Sequence, residues 1–293
     1  GTDTMTAGMN YVTMMLGPDC PFSVGYAGSQ KTTEDPLNDV AANVATGIEA
    51  LDLIFKTPFR CRFFAIGGTE GGAFRPWSNK ISDTGVRAFS GPKILDNAHF
   101  GIEGLQMQFE RDYQRQERPN PNWMPTVFRG YHNVYCITAR MGTDPRTHYD
   151  HIRSSAAEDA ILITSFGAFT ANIKSIRAVI QAVRDRGNNI PTFVCSPFPE
   201  GSVDHSYVSS NLMSQLGIIP VQLLPDVAIA KIALARKIWK GREAIQEFVA
   251  INNYAGEQPP ASDRARLAQS GKNQVVKVLM GPTPEFLKRV LHP

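Results

Sequence analysis

The chain has 293 residues and a formal net charge of +3, with 42% hydrophobic and 19% charged residues. This is the composition of an ordinary globular protein with room for two modest domains. The small charge and the absence of a dense Lys/Arg block disfavour nucleic acid or a membrane surface as partner, and apolar runs such as 218–224 are too short to span a bilayer.

The first part of the chain alternates between helical and extended patterns. We predict a helix over 4–16, a strand within 21–28 (PFSVGYAG), a helix over 38–55 and a strand within 60–68 (RCRFFAIGG). The second helix carries an apolar stripe at steps of three and four residues, formed by Val40, Val44, Ile48, Leu51 and Phe55. This alternation predicts a parallel sheet with covering helices.

The pattern breaks down between residues 67 and about 130. The stretch 67–80 (GGTEGGAFRPWSNK) is rich in glycine and predicts a loop. The stretch 108–123 (QFERDYQRQERPNPNW) is charged and then proline-rich, which is typical of a linker or an exposed insertion.

The alternation then resumes and predicts a second α/β unit. Its predicted strands fall within 133–140, 160–168, 191–197 and 218–224, and its predicted helices within 148–158, 172–187, 206–217 and 226–239. The tail holds a strand candidate at 274–280 and a last short helix. The predicted fold is therefore α/β, with two parallel-sheet units joined by a linker. The domain boundaries are predicted as 1–95, 96–130 (linker or insertion), 131–254 and 255–293 (C-terminal extension).

Ligands of such sheets bind at the carboxyl ends of the strands. Three segments expected there are rich in small and polar residues: the start at Gly1, 27–36 (AGSQKTTEDP) with Ser29, and 165–172 (SFGAFTAN) with Asn172. At the start, Thr2 and Asp3 precede an apolar-periodic helix, a pattern typical of an N-cap. They would also suit a substrate site, since helix N-termini favour anions. A Thr hydroxyl needs a base to act as a nucleophile, and Lys80 is the candidate.

Neither the cysteines nor the histidines form a metal-binding pattern. Cys20, Cys61, Cys136 and Cys195 lie in apolar stretches without CxxC spacing, which predicts buried free thiols in a reducing compartment, the cytoplasm. His148 and His151 could share one face of a helix, but no further ligand completes a set. We therefore expect no metal and no cofactor.

Several segments, taken in order, resemble the bacterial-type (two-domain) L-asparaginase family, which includes the asparaginase-like subunit of the archaeal tRNA-dependent amidotransferase. The opening GTDTM is similar to the family's second signature, and AGSQKTTEDPLNDVAAN to its next segment, which ends on the pair Asp39 and Asn43. NKISDTGVRAFSG resembles the stretch that carries the family's lysine. In the second unit, SFGAFTANIKS, SPFPEGSVD and LLPDVAIAKIALA follow in family order.

This resemblance implies an amidohydrolase that releases ammonia from L-asparagine or L-glutamine through a threonine acyl-enzyme. Thr2 would be the second catalytic threonine, Asp3 the carboxylate that holds the substrate ammonium, and Lys80 the partner of Thr2. Ser29 and Asn172 would contact the amino-acid amide substrate. It also implies a homo-oligomer, with sites shared between the N-terminal domain of one subunit and the C-terminal domain of a neighbour.

The departures from the family concern the N-terminal domain. The first signature, T-G-G-T-I, does not occur, and Lys31 and Ala27 replace the usual Arg and Thr. We interpret this as an N-terminally truncated domain and expect little or no hydrolysis by the chain alone. Two alternatives stay open: an ammonia-donating subunit of a tRNA-dependent amidotransferase, and a non-catalytic relative that serves as a binding scaffold.

Overall fold

The structure is a computed structural model, and in it the chain forms two compact units. Residues 1–130 together with 253–257 form unit 1, and residues 131–252 belong to unit 2. The described residues are 2–31, 33–56, 63–67, 72–74, 79–80, 89–90, 99–101, 104–106, 122–128, 134–138, 144–154, 160–166, 170–187, 189–198 and 208–257. The predicted tail strand and last helix lie outside them.

Unit 1 is built on a small mixed sheet and two longer helices. Its elements in chain order are α1 (Thr2–Leu16), β1 (Val24–Ala27), α2 (Val40–Lys56), β2 (Phe63–Gly67), β3 (Gly72–Phe74), β4 (Asn79–Lys80), β5 (Phe89–Ser90), β6 (His99–Gly101) and β7 (Gly104–Gln106). The sheet order is β1-β2-β3, in which β1 and β2 are parallel and β2 and β3 antiparallel. The pairs β4-β5 and β6-β7 are antiparallel and two-stranded.

The predicted helix–strand–helix–strand order of unit 1 is confirmed, with α1 beginning at Thr2. The loop prediction for 67–80 is wrong at its described residues, because Gly72–Phe74 pairs with β2 and Asn79–Lys80 pairs with β5. Strands of two or three residues carry no usable periodicity, so only the pairing partner reveals them. The predicted linker or insertion 96–130 contains the antiparallel strands β6 and β7.

Residues 122–128, also within the predicted linker, pack against the end of α1. The Trp123 side chain donates from Nε1 to the Leu16 carbonyl over 3.0 Å, and the Thr126 amide donates to the Met15 carbonyl over 2.7 Å. The ring of the buried Phe128 packs against the Tyr11 ring, with 5.6 Å between the ring centroids. Helix C-termini leave carbonyls without intrahelical partners, so this segment satisfies two of them.

Gly17 ends α1 in a conformation that favours glycine. Its φ is +69°, and a Cβ built there would lie 2.6 Å from the Tyr254 hydroxyl oxygen. The Gly17 amide also donates to the Thr13 carbonyl over 2.9 Å. Both the left-handed backbone and the close approach of Tyr254 therefore require a residue without a side chain.

Helix α2 packs on β1 and β2, and its side chains are described except those of residues 53 and 54. The buried side chains of this helix include Asn43, Thr46 and Ala50. The apolar stripe identified in the sequence does not form the packed face, because Val44, Ile48, Leu51 and Phe55 are exposed. The spacing predicted the helix correctly, but the tertiary packing selects the opposite face.

Unit 2 is a four-stranded parallel sheet with helices between its strands. Its elements are β8 (Val134–Thr138), α3 (Pro145–Ser154), β9 (Ala160–Thr164), α4 (Ile173–Asp185), β10 (Thr192–Cys195), α5 (Val208–Gln215), β11 (Ile219–Val221), α6 (Pro225–Ile238) and α7 (Arg242–Ile251). The strand order is β11-β10-β9-β8, and every neighbouring pair is parallel. The predicted α/β class with parallel sheets is thus confirmed.

The core of unit 2 covers both faces of this sheet. One cluster joins Ile137, Ile161 and Val194 of the strands to apolar residues of α3, α4 and α5. The strand β10 is buried throughout, as expected for a strand of a parallel sheet with both faces covered. Helix α7 was not predicted, although Ile245, Phe248 and Val249 form its buried face at helical spacing.

Lys231 of α6 is the unusual member of this core, with 0% of its surface exposed. Its ammonium donates to the Asn252 carbonyl at the C-terminus of α7 and lies 5.8 Å from the centre of the Phe248 ring. A helix C-terminus and an aromatic face both favour a cation. Lys231 therefore stabilises the packing of α7 on α6 through a hydrogen bond and a cation–π contact.

Two further properties bear on the sequence predictions. Cys20 and Cys195 are buried free thiols as predicted, whereas Cys136 is exposed on β8, and Cys61 lies outside the described residues. A thiol on a strand alternates with its neighbours between the two faces, so an apolar neighbourhood in sequence does not guarantee burial. Among the helices that the structure describes, none is long and apolar enough to cross a membrane.

Candidate functional site

A network of hydrogen bonds organises the loop at the carboxyl end of β1. Ser29 donates from Oγ to Oδ1 of Asp39 over 2.5 Å, and the Gln30 amide donates to the same oxygen over 3.0 Å. The Asn43 side chain donates from Nδ2 to Oδ2 of Asp39 over 2.8 Å and to the Gly28 carbonyl over 2.7 Å. Asp39 thereby fixes the loop onto the first turn of α2.

The Asp39 carboxylate is held in its charged form. Burial by itself raises the pKa of this carboxyl, but the hydrogen bonds from Ser29, Asn43 and backbone amides lower it further than burial raises it, so the pKa lies below its ordinary value. A buried carboxylate with several donors is a stable acceptor. The network therefore holds one negative charge, the Asp39 carboxylate, against the loop that carries Ser29.

Sequence reasoning found Asp39 and Asn43 only as matching positions of a family segment and gave them no role. The signal was available, because their four-residue spacing on a helix places both side chains on one face. The hydroxyl of Ser29, predicted to contact substrate, has two acceptors within donating distance, Oδ1 of Asp39 at 2.5 Å and the Lys31 carbonyl at 2.6 Å. Its oxygen also accepts from the Lys31 amide over 3.2 Å, so the described contacts of Ser29 lie within the loop network.

Thr2 and Asp3 lie in the first turn of α1, which places them at the positive end of the helix dipole. Lys80 lies on β4, where it pairs with Phe89 of β5. The α1 and β4 backbones contact each other, so the helix that begins with Thr2 lies against the strand of Lys80. The side chains of these three residues lie outside the described part of the structure, and their predicted roles stay predictions.

Asn172 belongs to unit 2 and precedes α4. Its side-chain Oδ1 accepts from the Lys174 amide over 3.0 Å, which makes Asn172 the N-cap of this helix. The neighbouring strand ends carry buried hydroxyls: Ser165 donates to the Cys195 carbonyl over 2.9 Å, and Ser196 accepts from the Phe198 amide. These hydroxyls brace the carboxyl ends of β9 and β10, where the sequence predicts a ligand.

Other reactive side chains in unit 2 have structural partners. Burial raises the pKa of the Cys195 thiol to about 12, so it stays neutral. His148 lies 3.3 Å from the Tyr135 hydroxyl, and the His151 ring stacks on the Tyr135 ring at 3.9 Å. Nowhere in the described ranges do three His, Cys, Asp or Glu residues form a group that could hold a metal ion.

The fold has counterparts among solved structures, at low sequence identity. No protein-family model matches the chain, and no curated protein matches it. The thermostable L-asparaginase from Thermococcus kodakarensis matches with a TM-score of 0.67 at 19% identity, over 89% of this chain and 74% of that enzyme. L-asparaginase I from Vibrio cholerae O1 biovar eltor matches with the same TM-score, identity and coverage. The chain therefore has the fold of these two L-asparaginases.

Proposed function

We propose that the chain is an asparaginase-like amidohydrolase that acts on L-asparagine or L-glutamine. The observation that carries the proposal is the agreement between the fold and the order of the sequence segments. The fold is that of two L-asparaginases over 89% of the chain, and the segments that resemble the family occur in family order along the same chain.

In this proposal Thr2 supplies the hydroxyl, Lys80 assists its deprotonation, and Asp3 binds the substrate ammonium. Two observations support this assignment. The first turn of an α-helix has amides without intrahelical partners that can donate to a developing anion, and Thr2 begins α1, whose backbone approaches that of β4, the strand of Lys80. The substrate is a zwitterion, so a carboxylate for its ammonium and amide donors for its carboxylate are the chemistry that recognition requires.

In this proposal the Ser29–Asp39–Asn43 network positions the loop after β1, which contributes to the site. It holds the loop after β1 in one conformation through five described hydrogen bonds to Asp39. Preorganised loops reduce the entropy lost when a substrate binds. Ser29 would then be a positioning residue whose loop amides and carbonyls face the substrate.

The test is binding of L-asparagine, because hydrolysis by these 293 residues is expected to be far below the median enzyme rate of about 10 s⁻¹. Calorimetry or NMR titration of the chain with L-asparagine should give saturable binding. Asp3→Asn should weaken that binding at least about tenfold, since it removes the charge that pairs with the ammonium.

The matched control is Asp52→Asn, which changes an exposed carboxylate on α2. This variant should bind L-asparagine as the unmodified chain does. Absence of any saturable binding of L-asparagine, L-glutamine or their acid products would overturn the proposal. Equal loss in the two variants would overturn the role of Asp3.

A further inference from the structure

Helix α3 has a narrow buried face, and one of its two buried side chains can take up a proton. The ten residues Pro145–Ser154 are all described and mostly polar, and His148 and Ile152 are the buried ones among them. These two lie four residues apart, so they share one face of the helix. Ile152 joins the core cluster of unit 2, whereas His148, 6% exposed, is ionisable near neutral pH.

The imidazole of His148 has a partner for one of its two nitrogens. Nδ1 lies 3.3 Å from the Tyr135 hydroxyl of β8, within hydrogen-bonding distance. Nε2 is buried and has no hydrogen-bond partner in the part of the chain that the structure describes. Burial raises the pKa of Tyr135 above its ordinary value, so this hydroxyl stays neutral and cannot compensate a charge on the ring.

This arrangement suits a neutral imidazole and opposes a charged one. In the neutral ring one nitrogen donates and the other accepts, whereas in the imidazolium both nitrogens donate. A buried charged donor without an acceptor costs far more free energy than a buried neutral group. The packed position of α3 therefore requires His148 in its neutral form.

The charged groups of α3 itself do not reverse this preference. Burial lowers the pKa of His148, Asp144 raises it and His151 lowers it, so that the pKa lies below its ordinary value. Asp144 is exposed at the start of α3, where its Oδ1 accepts from the Arg146 amide over 2.9 Å. The other ionisable side chains of α3 are exposed or half-buried: Arg146, Tyr149, Asp150 and Arg153.

Helix α4 packs along α3, and its one carboxylate is engaged elsewhere. Asp185 accepts from the Tyr149 hydroxyl over 2.6 Å, and the Arg186 side chain, just after α4, donates to the Ile152 carbonyl over 3.0 Å. The remaining charged side chains of α4 are basic: Lys174, Arg177 and Arg184. Basic groups offer no acceptor to an imidazolium, so α4 does not favour the charged form of His148.

We propose that His148 is a pH-sensitive switch that holds α3 on unit 2 at neutral pH and releases the helix on acidification. The neutral ring fits its buried position beside Tyr135. The imidazolium is stable only in water, so its formation opens α3 locally and brings His148 to the surface. Such local openings require less free energy than unfolding of the whole unit.

The direction of the switch follows from proton uptake in the packed and open states. Because the pKa of His148 is lowered in the packed state, the open state takes up the proton more readily. The contribution of His148 to the packing of α3 is therefore fully present above the ordinary His pKa of about 6.5 and is lost as the pH falls through the packed-state value.

This switch is independent of the proposed amidohydrolase function. It lies within unit 2 and uses neither Thr2, Asp3 nor Lys80. Its readout is the protection of backbone amides and needs no L-asparagine, so the failure of one proposal leaves the other intact.

The experiment is hydrogen exchange of the full chain at about pH 7.5 and about pH 5, expressed as protection factors so that the pH dependence of the chemical exchange rate is removed. The amides of residues 149–154 should lose protection by about three- to thirtyfold at the lower pH. Thirtyfold is the upper limit, because the open state gains one proton with a pKa of about 6.5. The buried residues of α6 serve as the internal reference and should lose less protection.

His148→Gln replaces the ring with a side chain that stays neutral, so the loss of protection in α3 should disappear. The matched control is His151→Gln, which removes an exposed histidine of the same helix and should keep the loss. If His148→Gln fails to fold, His148→Phe is a second neutral replacement with an aromatic ring. In the unmodified chain, NMR titration of the six labelled histidines should show one imidazole that titrates below the ordinary value.

Equal protection of α3 at the two pH values would overturn the proposal. A loss of protection that persists in His148→Gln or His148→Phe would do so as well, and so would six imidazoles that all titrate at or above the ordinary value. If His151→Gln abolishes the loss, the switch belongs to His151 and the assignment to His148 is wrong.

Discussion

Ser29 Oγ lies 2.5 Å from Oδ1 of Asp39, ten residues further along the chain, and this hydrogen bond joins the loop after β1 to the residue that precedes α2. The carboxylate accepts at the same time from the Gln30 amide and from Asn43. One buried side chain therefore sets the conformation of a loop that the sequence places at a ligand site.

Asp39→Asn should destabilise unit 1 by about 1 to 3 kcal/mol, because hydrogen bonds to a charged acceptor are the stronger kind and the new amide would face donors. Urea unfolding followed by circular dichroism measures this change. Asp52→Asn, at an exposed carboxylate, should change the free energy of unfolding by less than about 0.5 kcal/mol. Equal effects of the two substitutions would contradict the importance of the network.

The contribution of Asp39 should depend on pH in a defined direction. Because its pKa in the folded state is lowered, the unfolded chain takes up this proton more readily than the folded chain. The stabilisation is therefore fully present above the ordinary Asp pKa of about 3.9 and is lost as the pH falls through the folded-state value. The stability difference between the unmodified chain and Asp39→Asn should shrink below about pH 4, and urea titrations at pH 7, 4 and 3 measure it. A difference that grows on acidification would show that the sign is wrong.

Gly17→Ala should destabilise the chain by about 1 to 2 kcal/mol, since alanine resists a positive φ and its Cβ would press on the Tyr254 hydroxyl. Gly8→Ala, inside α1, is the matched control, because nothing lies within 4 Å of the added carbon. That substitution should stabilise the chain by about 0.5 to 1 kcal/mol, because alanine is the better helix former. Thermal melts of both variants test the opposite signs.

Lys231→Ala should destabilise unit 2 by about 2 to 5 kcal/mol, because it leaves a cavity and removes the donor to the Asn252 carbonyl. Lys231→Met keeps most of the volume and should cost less, since an apolar residue of similar size also removes a buried charge. Chemical denaturation of the three chains gives the order. If Lys231→Met destabilises unit 2 as much as Lys231→Ala does, the loss of stability comes from the missing ammonium and its hydrogen bond and not from the cavity.

When the chain is supplemented with an N-terminal segment that carries a T-G-G-T-I motif, Lys80→Met should lower L-asparagine hydrolysis by about 10² to 10⁴-fold without changing the melting temperature, because the proposed role is proton transfer to and from Thr2. Lys56→Met removes an exposed lysine of α2 and should leave the rate unchanged. Ammonia release measures both variants. A structure that places Lys80 Nζ well beyond about 6 Å from the Thr2 hydroxyl would exclude strong coupling and contradict the assignment.

Local patterns in the sequence determined the order of helices and strands, since periodicities of 3.6 and 2 residues reflect each segment by itself. The alternation in both halves predicted parallel α/β sheets, and the spacing of residues 40–55 predicted α2. The same kind of local reasoning could have found α7 and the N-cap role of Asn172, because both signals lie within a few residues.

Only the tertiary structure decided which face of α2 packs, because periodicity locates a stripe and does not say what covers it. It also decided that Ser29 bonds to Asp39, that Gly72–Phe74 pairs with β2, and that Lys231 reaches the end of α7. Each of these contacts joins segments distant in sequence. Their partners are fixed by the folded chain as a whole, so no local pattern around either residue could reveal them.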